Sequence, residues 1–177
     1  MGNRLLLAAG GTGGHMFPAQ ALAEMLKAQG WDIAMMTDAR GRRHCGRIPA
    51  DPILEVKAAS ISPRKPIAAL RGTFQLAAGV RQAKAFIREW QPDVVVGFGG
   101  YPAFPAMRAA QGMGIPTILH EQNAVMGMTN RYLSKVALKT LLAFPIVGRP
   151  EQGVKFEVVG NPVRAEISKL NKLPKRL

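Results

Sequence analysis

Residues 4–18 read RLLLAAGGTGGHMFP, and the order of residue types in that stretch decides the fold. Arg4 to Ala9 is an apolar run that predicts a buried strand. Gly10-Gly11-Thr12-Gly13-Gly14-His15 is a glycine turn. From about Pro18 to Gln29 apolar residues recur with a helical period until Gly30 supplies a stop. Strand, glycine turn and helix are the opening unit of a parallel α/β sheet. Working outward, strands are expected at Ile33 to Thr37, Ile53 to Lys57, Asp93 to Val96 and Thr117 to Leu119, with short closing runs at Thr140 to Ala143 and Phe156 to Val159. Residues 66–90 predict a long basic helix, or a pair, ending before Pro92. A second glycine turn, Gly97-Phe98-Gly99-Gly100-Tyr101-Pro102, opens another helix, whose first turn tolerates Pro102 and Pro105. A further helix is expected through Thr129 to Val136.

Composition agrees with a globular domain. The chain has 177 residues, 47% hydrophobic and 20% charged, so disordered, collagenous and disulfide-stapled classes are excluded. Gly and Pro interrupt the longest apolar candidate, Val94 to Met107, before it reaches the ~18 residues of a spanning helix. Leu5 to Ala9 is too short for a secretory core, and Leu6 stands where a myristoylation signal needs Ser or Thr, so a cytoplasmic protein is expected. Cys45, the single cysteine, excludes an intrachain disulfide and a cysteine-rich zinc site. No histidine and carboxylate cluster has ligand spacing, and no metal or cofactor is expected.

The net charge of +13 favours anionic partners. Its distribution is uneven: residues 36–90 carry 11 Lys/Arg against 4 Asp/Glu and residues 131–177 carry 10 against 3, while the glycine turns lie in nearly neutral segments. Aromatics make up only 6% and no nucleic-acid-binding module appears, so nucleic acid is not expected as a partner. Ligands of open α/β sheets bind beyond the carboxyl ends of the strands, where the glycine turns sit. Consecutive glycines let the backbone approach an anion closely, and the free N–H groups of the next helix supply partial positive charge. A diphosphate suits that geometry. Gly11-Thr12-Gly13-Gly14-His15-Met16 nevertheless lacks the last glycine of the dinucleotide fingerprint, and no Walker-type Lys-Ser/Thr follows.

Taken together, Gly10 to His15 with Phe17-Pro18, Gly97 to Tyr101, His120-Glu121-Gln122-Asn123-Ala124 with Thr129-Asn130-Arg131, and Gly160-Asn161-Pro162-Val163-Arg164 closely resemble the MurG family. Members of that family are bacterial glycosyltransferases that move N-acetylglucosamine from UDP-N-acetylglucosamine to undecaprenyl-diphosphate-linked muramoyl-pentapeptide in peptidoglycan synthesis. The resemblance implies a GT-B-type enzyme with two Rossmann-like domains. It assigns residues 1–160 to the acceptor-side domain and 161–177 to a hinge and tail leading toward a C-terminal donor domain, with thirteen residues after Arg164. The chain by itself is then expected to bind acceptor weakly and to transfer no sugar.

Glycosidic bond formation requires loss of a proton from the acceptor hydroxyl, and His15 at a helix N-terminus, where the dipole favours a neutral ring, is the expected base, the alternative being a residue that only orients a substrate. The resemblance implies that Thr12, Gly13, Gly14, Asn123 and Arg164 contact the donor, Arg164 through its diphosphate. It implies acceptor contacts for Gly11, Gly99, Gly100, Tyr101, Glu121 and Gln122. Tyr101 either lines the cleft or packs on the sheet, and Glu121 either handles protons or caps the following turn. His120 reads as a hydrogen-bonded scaffold. Departures from the family pattern at Asp38 to Ile48 and at Ala103-Phe104 bear on acceptor details.

A lipid-linked acceptor gives the basic stretch a purpose. Ile61, Ile67, Leu70 and Phe74 interleave with Arg64, Lys65, Arg71 and Arg81, which predicts peripheral binding to the anionic cytoplasmic face of the inner membrane through Ile67, Leu70, Arg71 and Phe74. The alternative is a helix that packs its apolar face on the sheet and solvates the rest. Two rival functions stand beside the transferase: a non-catalytic half that binds lipid and recruits a separate donor-binding chain, and a nicotinamide-dependent oxidoreductase using Asp38 for ribose or Arg40, Arg42 and Arg43 for a 2′-phosphate.

Overall fold

The computed structural model describes residues 3–59, 66–148 and 153–170. Seven strands form one wholly parallel sheet: β1 (Arg4–Ala8), β2 (Asp32–Thr37), β3 (Ile53–Glu55), β4 (Val94–Gly97), β5 (Thr117–Glu121), β6 (Lys139–Leu142) and β7 (Phe156–Val158), in the order β3-β2-β1-β4-β5-β6-β7. The helices are α1 (Gly13–Lys27), α2 (Ala39–Arg42), α3 (Pro66–Trp90), α4 (Gly100–Gln111), α5 (Met128–Leu133) and α6 (Ala165–Leu170), with a 3-10 turn at Cys45–Arg47. This is the expected Rossmann-like parallel sheet with helices on both faces.

Alternation along the central strands explains why both faces are covered. Leu6 and Ala8 of β1, with Ala34 and Met36 of β2, point to one side, where Ala83 and Ile87 of α3 and Ala103, Ala106 and Met107 of α4 meet them. Leu5 and Leu7, with Ile33 and Met35, point to the other and pack on Met16, Ala19 and Ala23 of α1. A strand buried on both faces must be apolar throughout, which is why β1 reads as a continuous run.

Sheet order reverses at β1, which lies between β2 and β4. In a parallel sheet every carboxyl end faces the same rim, so the crevice at this reversal is walled by the turns after β1 and β4. Those are the two glycine turns. The first does not precede its helix, as expected from Pro18, but forms its opening turn, since α1 starts at Gly13 and carries Pro18 inside it. β5 likewise runs two residues past the expected Leu119, placing His120 and Glu121 at a strand end. Residues 66–90 form one helix.

Candidate active site

Four separated segments meet at the crevice through side-chain hydrogen bonds. His15, in the first turn of α1, is half-buried, and its Nδ1 lies 2.7 Å from the carbonyl of Phe98 in the second glycine turn. The same nitrogen lies 3.0 Å from Oε1 of Gln122, just past β5. A carbonyl can only accept, so Nδ1 carries a proton, and in the neutral ring the lone pair is on Nε2. Nε2 lies against the second turn, where a Cβ added at Gly100 would come within 3.4 Å of it. Gln122 in turn donates from Nε2 to Nδ1 of His120 at 3.0 Å, and Nε2 of His120 donates to the carbonyl of Gly160, also at 3.0 Å. Burial lowers the pKa of His120, against opposing pulls from the Gly160 carbonyl and the neighbouring Glu121.

Thr12 takes the N-cap position of α1 without capping it by its side chain, which leaves the amides of the Gly13–Gly14 turn open to an anion. Phe17 folds back over this turn, its ring 2.8 Å from where a Cβ of Gly13 would sit. The guanidinium of Arg164 lies over that ring, 4.3 Å from its centroid, and its Nε is buried without a hydrogen-bond partner. Arg164, which follows β7, is thereby brought to the first glycine turn. Nothing in the sequence pattern marks Phe17 as the residue that holds it there, beyond a bulky ring four residues after a glycine in a helix, a spacing that stacks one on the other.

Glu121 is 2% exposed and organises the loop after β5. Its Oε1 accepts from the amide and the side-chain nitrogen of Asn123, and its Oε2 accepts from Gly127 N and from Nδ2 of Asn130. With both oxygens held by the protein, its place is beneath the crevice, and the turn-organising alternative describes it better than direct contact with acceptor. Asn130, 2% exposed, joins the end of β5 to the second glycine turn: besides Glu121 it donates to the His120 carbonyl, and Gly99 packs against its amide. Asn123 keeps an exposed side chain at the rim.

Asp38 shows a comparable use of a carboxylate. It is 6% exposed, caps α2 through Gly41 N, accepts from Gly11 N at 2.9 Å and receives the Tyr101 hydroxyl at 3.2 Å. A Cβ at Gly10 would lie 2.6 Å from Asp38 Oδ1, so only glycine admits that approach. The carboxylate that a ribose would need is therefore engaged by the first turn itself, and nothing in this geometry favours the nicotinamide reading. Burial, with the Asp38 carboxylate beside it, raises the pKa of Tyr101, which stays a neutral donor. Tyr101 borders two hollows. One hollow, about 310 Å³, is edged by Asp38, Arg40, Glu55, Lys57 and Gln75. The other, about 200 Å³, is mostly apolar and is edged by Leu76, Phe104, Met128, Thr129 and Tyr132. Neither has His15 in its wall.

The membrane residues lie apart from this cluster. Leu70 and Phe74 are 60% and 69% exposed one turn apart on α3, with Arg71 exposed beside them. The side chain of Ile67, and Ile61, Arg64 and Lys65 altogether, lie outside the described residues. Among the described residues no helix is long and apolar enough to cross a membrane, and no group of three His, Cys, Asp or Glu could hold a metal ion. Burial raises the pKa of Cys45, whose thiol is packed in the α1-side core.

Comparison with known proteins places these features in context. The model of the glycosyltransferase family 28 N-terminal domain matches residues 5–142. The UDP-N-acetylglucosamine–N-acetylmuramyl-(pentapeptide) pyrophosphoryl-undecaprenol N-acetylglucosamine transferase of Maricaulis maris is 48% identical over 166 residues, 93% of this chain and 45% of that one. The enzyme of the same name from Caulobacter vibrioides is 45% identical over 176 residues, 98% of this chain and 49% of its own. The crystal structure of Acinetobacter baumannii MurG superposes with a TM-score of 0.75 at 31% identity, covering 99% of this chain and 50% of that one. A glycosyltransferase of kitacinnamycin shares the fold, with a TM-score of 0.67 at 17% identity over 91% of this chain and 52% of its own. The chain thus spans about half the length of the curated relatives it matches.

Proposed function

The chain belongs to the glycosyltransferase family 28 N-terminal domain family, and from that premise we propose that it is the acceptor-side half of a MurG-type transferase. The reaction is transfer of N-acetylglucosamine from its UDP donor to undecaprenyl-diphosphate-linked muramoyl-pentapeptide. One observation carries the reading: Nδ1 of His15 faces two acceptors, the Phe98 carbonyl and Gln122 Oε1, so that in the neutral ring the lone pair is on Nε2, beside the second glycine turn. In that state Nε2 accepts the proton of the acceptor hydroxyl while its oxygen bonds to the anomeric carbon and the bond from that carbon to the UDP oxygen breaks. Backbone amides at Gly13 and Gly14 and the cation of Arg164 suit donor phosphate, with Thr12 and Asn123 at the rim. Gly11, Gly99, Gly100, Tyr101 and Gln122 are assigned to the acceptor side, with Glu121 holding their loop in shape. Exposed Leu70 and Phe74 beside Arg71 support docking on the anionic cytoplasmic surface of the inner membrane, where a lipid-linked acceptor resides.

The test mixes this chain with a separately produced donor-binding domain of a relative and follows labelled N-acetylglucosamine into the lipid-linked acceptor. Transfer is expected, and His15→Ala is expected to reduce it by roughly 10²- to 10⁴-fold, the usual worth of a general base. Transfer that survives His15→Ala undiminished overturns the role of His15. A chain that binds the acceptor yet supports no transfer with any donor domain favours the recruiting-module alternative.

A further inference from the structure

His15, Gln122 and His120 form an unbroken line of hydrogen bonds between two main-chain carbonyls, that of Phe98 at one end and that of Gly160 at the other. Because a carbonyl cannot donate, each end dictates a direction. The Phe98 end requires a proton on Nδ1 of His15, and the Gly160 end requires one on Nε2 of His120. With His120 buried and neutral, its Nδ1 is a bare lone pair, and the donor it meets is the amide nitrogen of Gln122 at 3.0 Å. The same nitrogen also donates to the His120 carbonyl at 3.1 Å, a second reason for the amide to face that way. Its oxygen is then turned toward His15, where it finds the Nδ1 proton at 3.0 Å. Both ends yield the same assignment, and nowhere along the line does donor meet donor.

We propose that Gln122 is a positioning residue that, as a second acceptor beside the Phe98 carbonyl, holds the ring of His15 in the Nδ1–H tautomer, its amide oriented by His120 and the Gly160 carbonyl. A neutral imidazole free in water prefers the opposite tautomer, with the proton on Nε2, and in that form His15 could not accept a proton from a substrate at that atom. The line therefore holds the ring in the less common form and links the segment after β7 to the first turn of α1. The inference rests on the reading of His15 as the base for its catalytic meaning, but the tautomer itself is measurable without any substrate.

The experiment is NMR of the ring nitrogens of ¹⁵N-histidine-labelled 177-residue chain, in which the shifts of Nδ1 and Nε2 report which one bears the proton. The unaltered chain is expected to show His15 predominantly as Nδ1–H and His120 as Nε2–H. Gln122→Met removes one of the two acceptors on Nδ1 at similar length and leaves only the Phe98 carbonyl, so the Nδ1–H share of His15 is expected to fall without vanishing. In the complemented transfer assay kcat is expected to drop by ~10- to 100-fold, the range seen when partners that orient metal-binding imidazoles are removed, with KM changed by less than about twofold. Gln122→Glu keeps shape and polarity and guards against a methionine variant that does not fold. Its carboxylate accepts from both sides, so His15 is expected to stay Nδ1–H while His120 gains a second proton on Nδ1. Folded variants in which neither ring responds overturn the proposal. Ring signals that respond as expected, together with transfer that survives His15→Ala, uphold the line of bonds and reject the base assignment.

Discussion

At the scale of single residues, the crevice is shaped by where side chains are absent as much as by where they are present. Gly100 has a φ of +71°, a conformation that costs a residue with Cβ about 1–2 kcal/mol, and its missing methyl is what leaves room beside Nε2 of His15. Gly100→Ala is expected to lower stability by about that amount and to cut transfer in the complemented assay more than ten-fold, read by denaturant titration beside a rate measurement. A rate equal to that of the unaltered chain would show that the space in front of Nε2 is not used. Much of this was readable beforehand: consecutive glycines after a strand announce a close backbone approach, and His15 followed them. What sequence did not announce is the partner on each atom. Glutamine 122 has no periodicity or spacing that says its amide joins two histidines, and Glu121 looks the same in sequence whether it meets solvent or four N–H donors.

At the scale of elements, the strands were legible and the helix starts less so. Continuous apolar runs bounded by Gly and Pro mark β1, β2, β4 and β5 because a parallel strand buried on both faces tolerates no polar alternation. Pro18 suggested a helix beginning at itself, since proline favours the first turn. The helix instead begins at Gly13 and carries Pro18 inside it. The short α2 escaped notice because four residues carry too little pattern, and Asp38 defines it by capping. Along α3, Ala83 and Ile87 pack into the core while Leu70 and Phe74 stand out in solvent, and the proposed membrane contact rests on that exposed pair. Replacing both by Ser is expected to reduce cosedimentation with vesicles rich in anionic phospholipid by at least ~10-fold, given about 1.5–3 kcal/mol for each buried side chain. The loss should leave the circular dichroism spectrum unchanged. Undiminished binding by the double variant would place the membrane contact elsewhere.

At the scale of the whole molecule, buried His120 couples stability to pH. Burial keeps its folded pKa below the ordinary value of 6.5, so the unfolded chain takes up the proton first as the solution is acidified. The stabilising contribution is complete above about pH 6.5 and is lost as pH falls through the folded pKa. Thermal denaturation followed from pH 7.5 down to pH 5 is expected to show a falling midpoint, and His120→Gln a shallower fall. Equal slopes would mean that other groups set the acid sensitivity. The sheet itself has a further consequence at its margins. Its outermost strands, β3 and β7, are three residues long, so neither border presents more than a brief row of unpaired amides and carbonyls. Such borders are poor templates for another chain to add a strand.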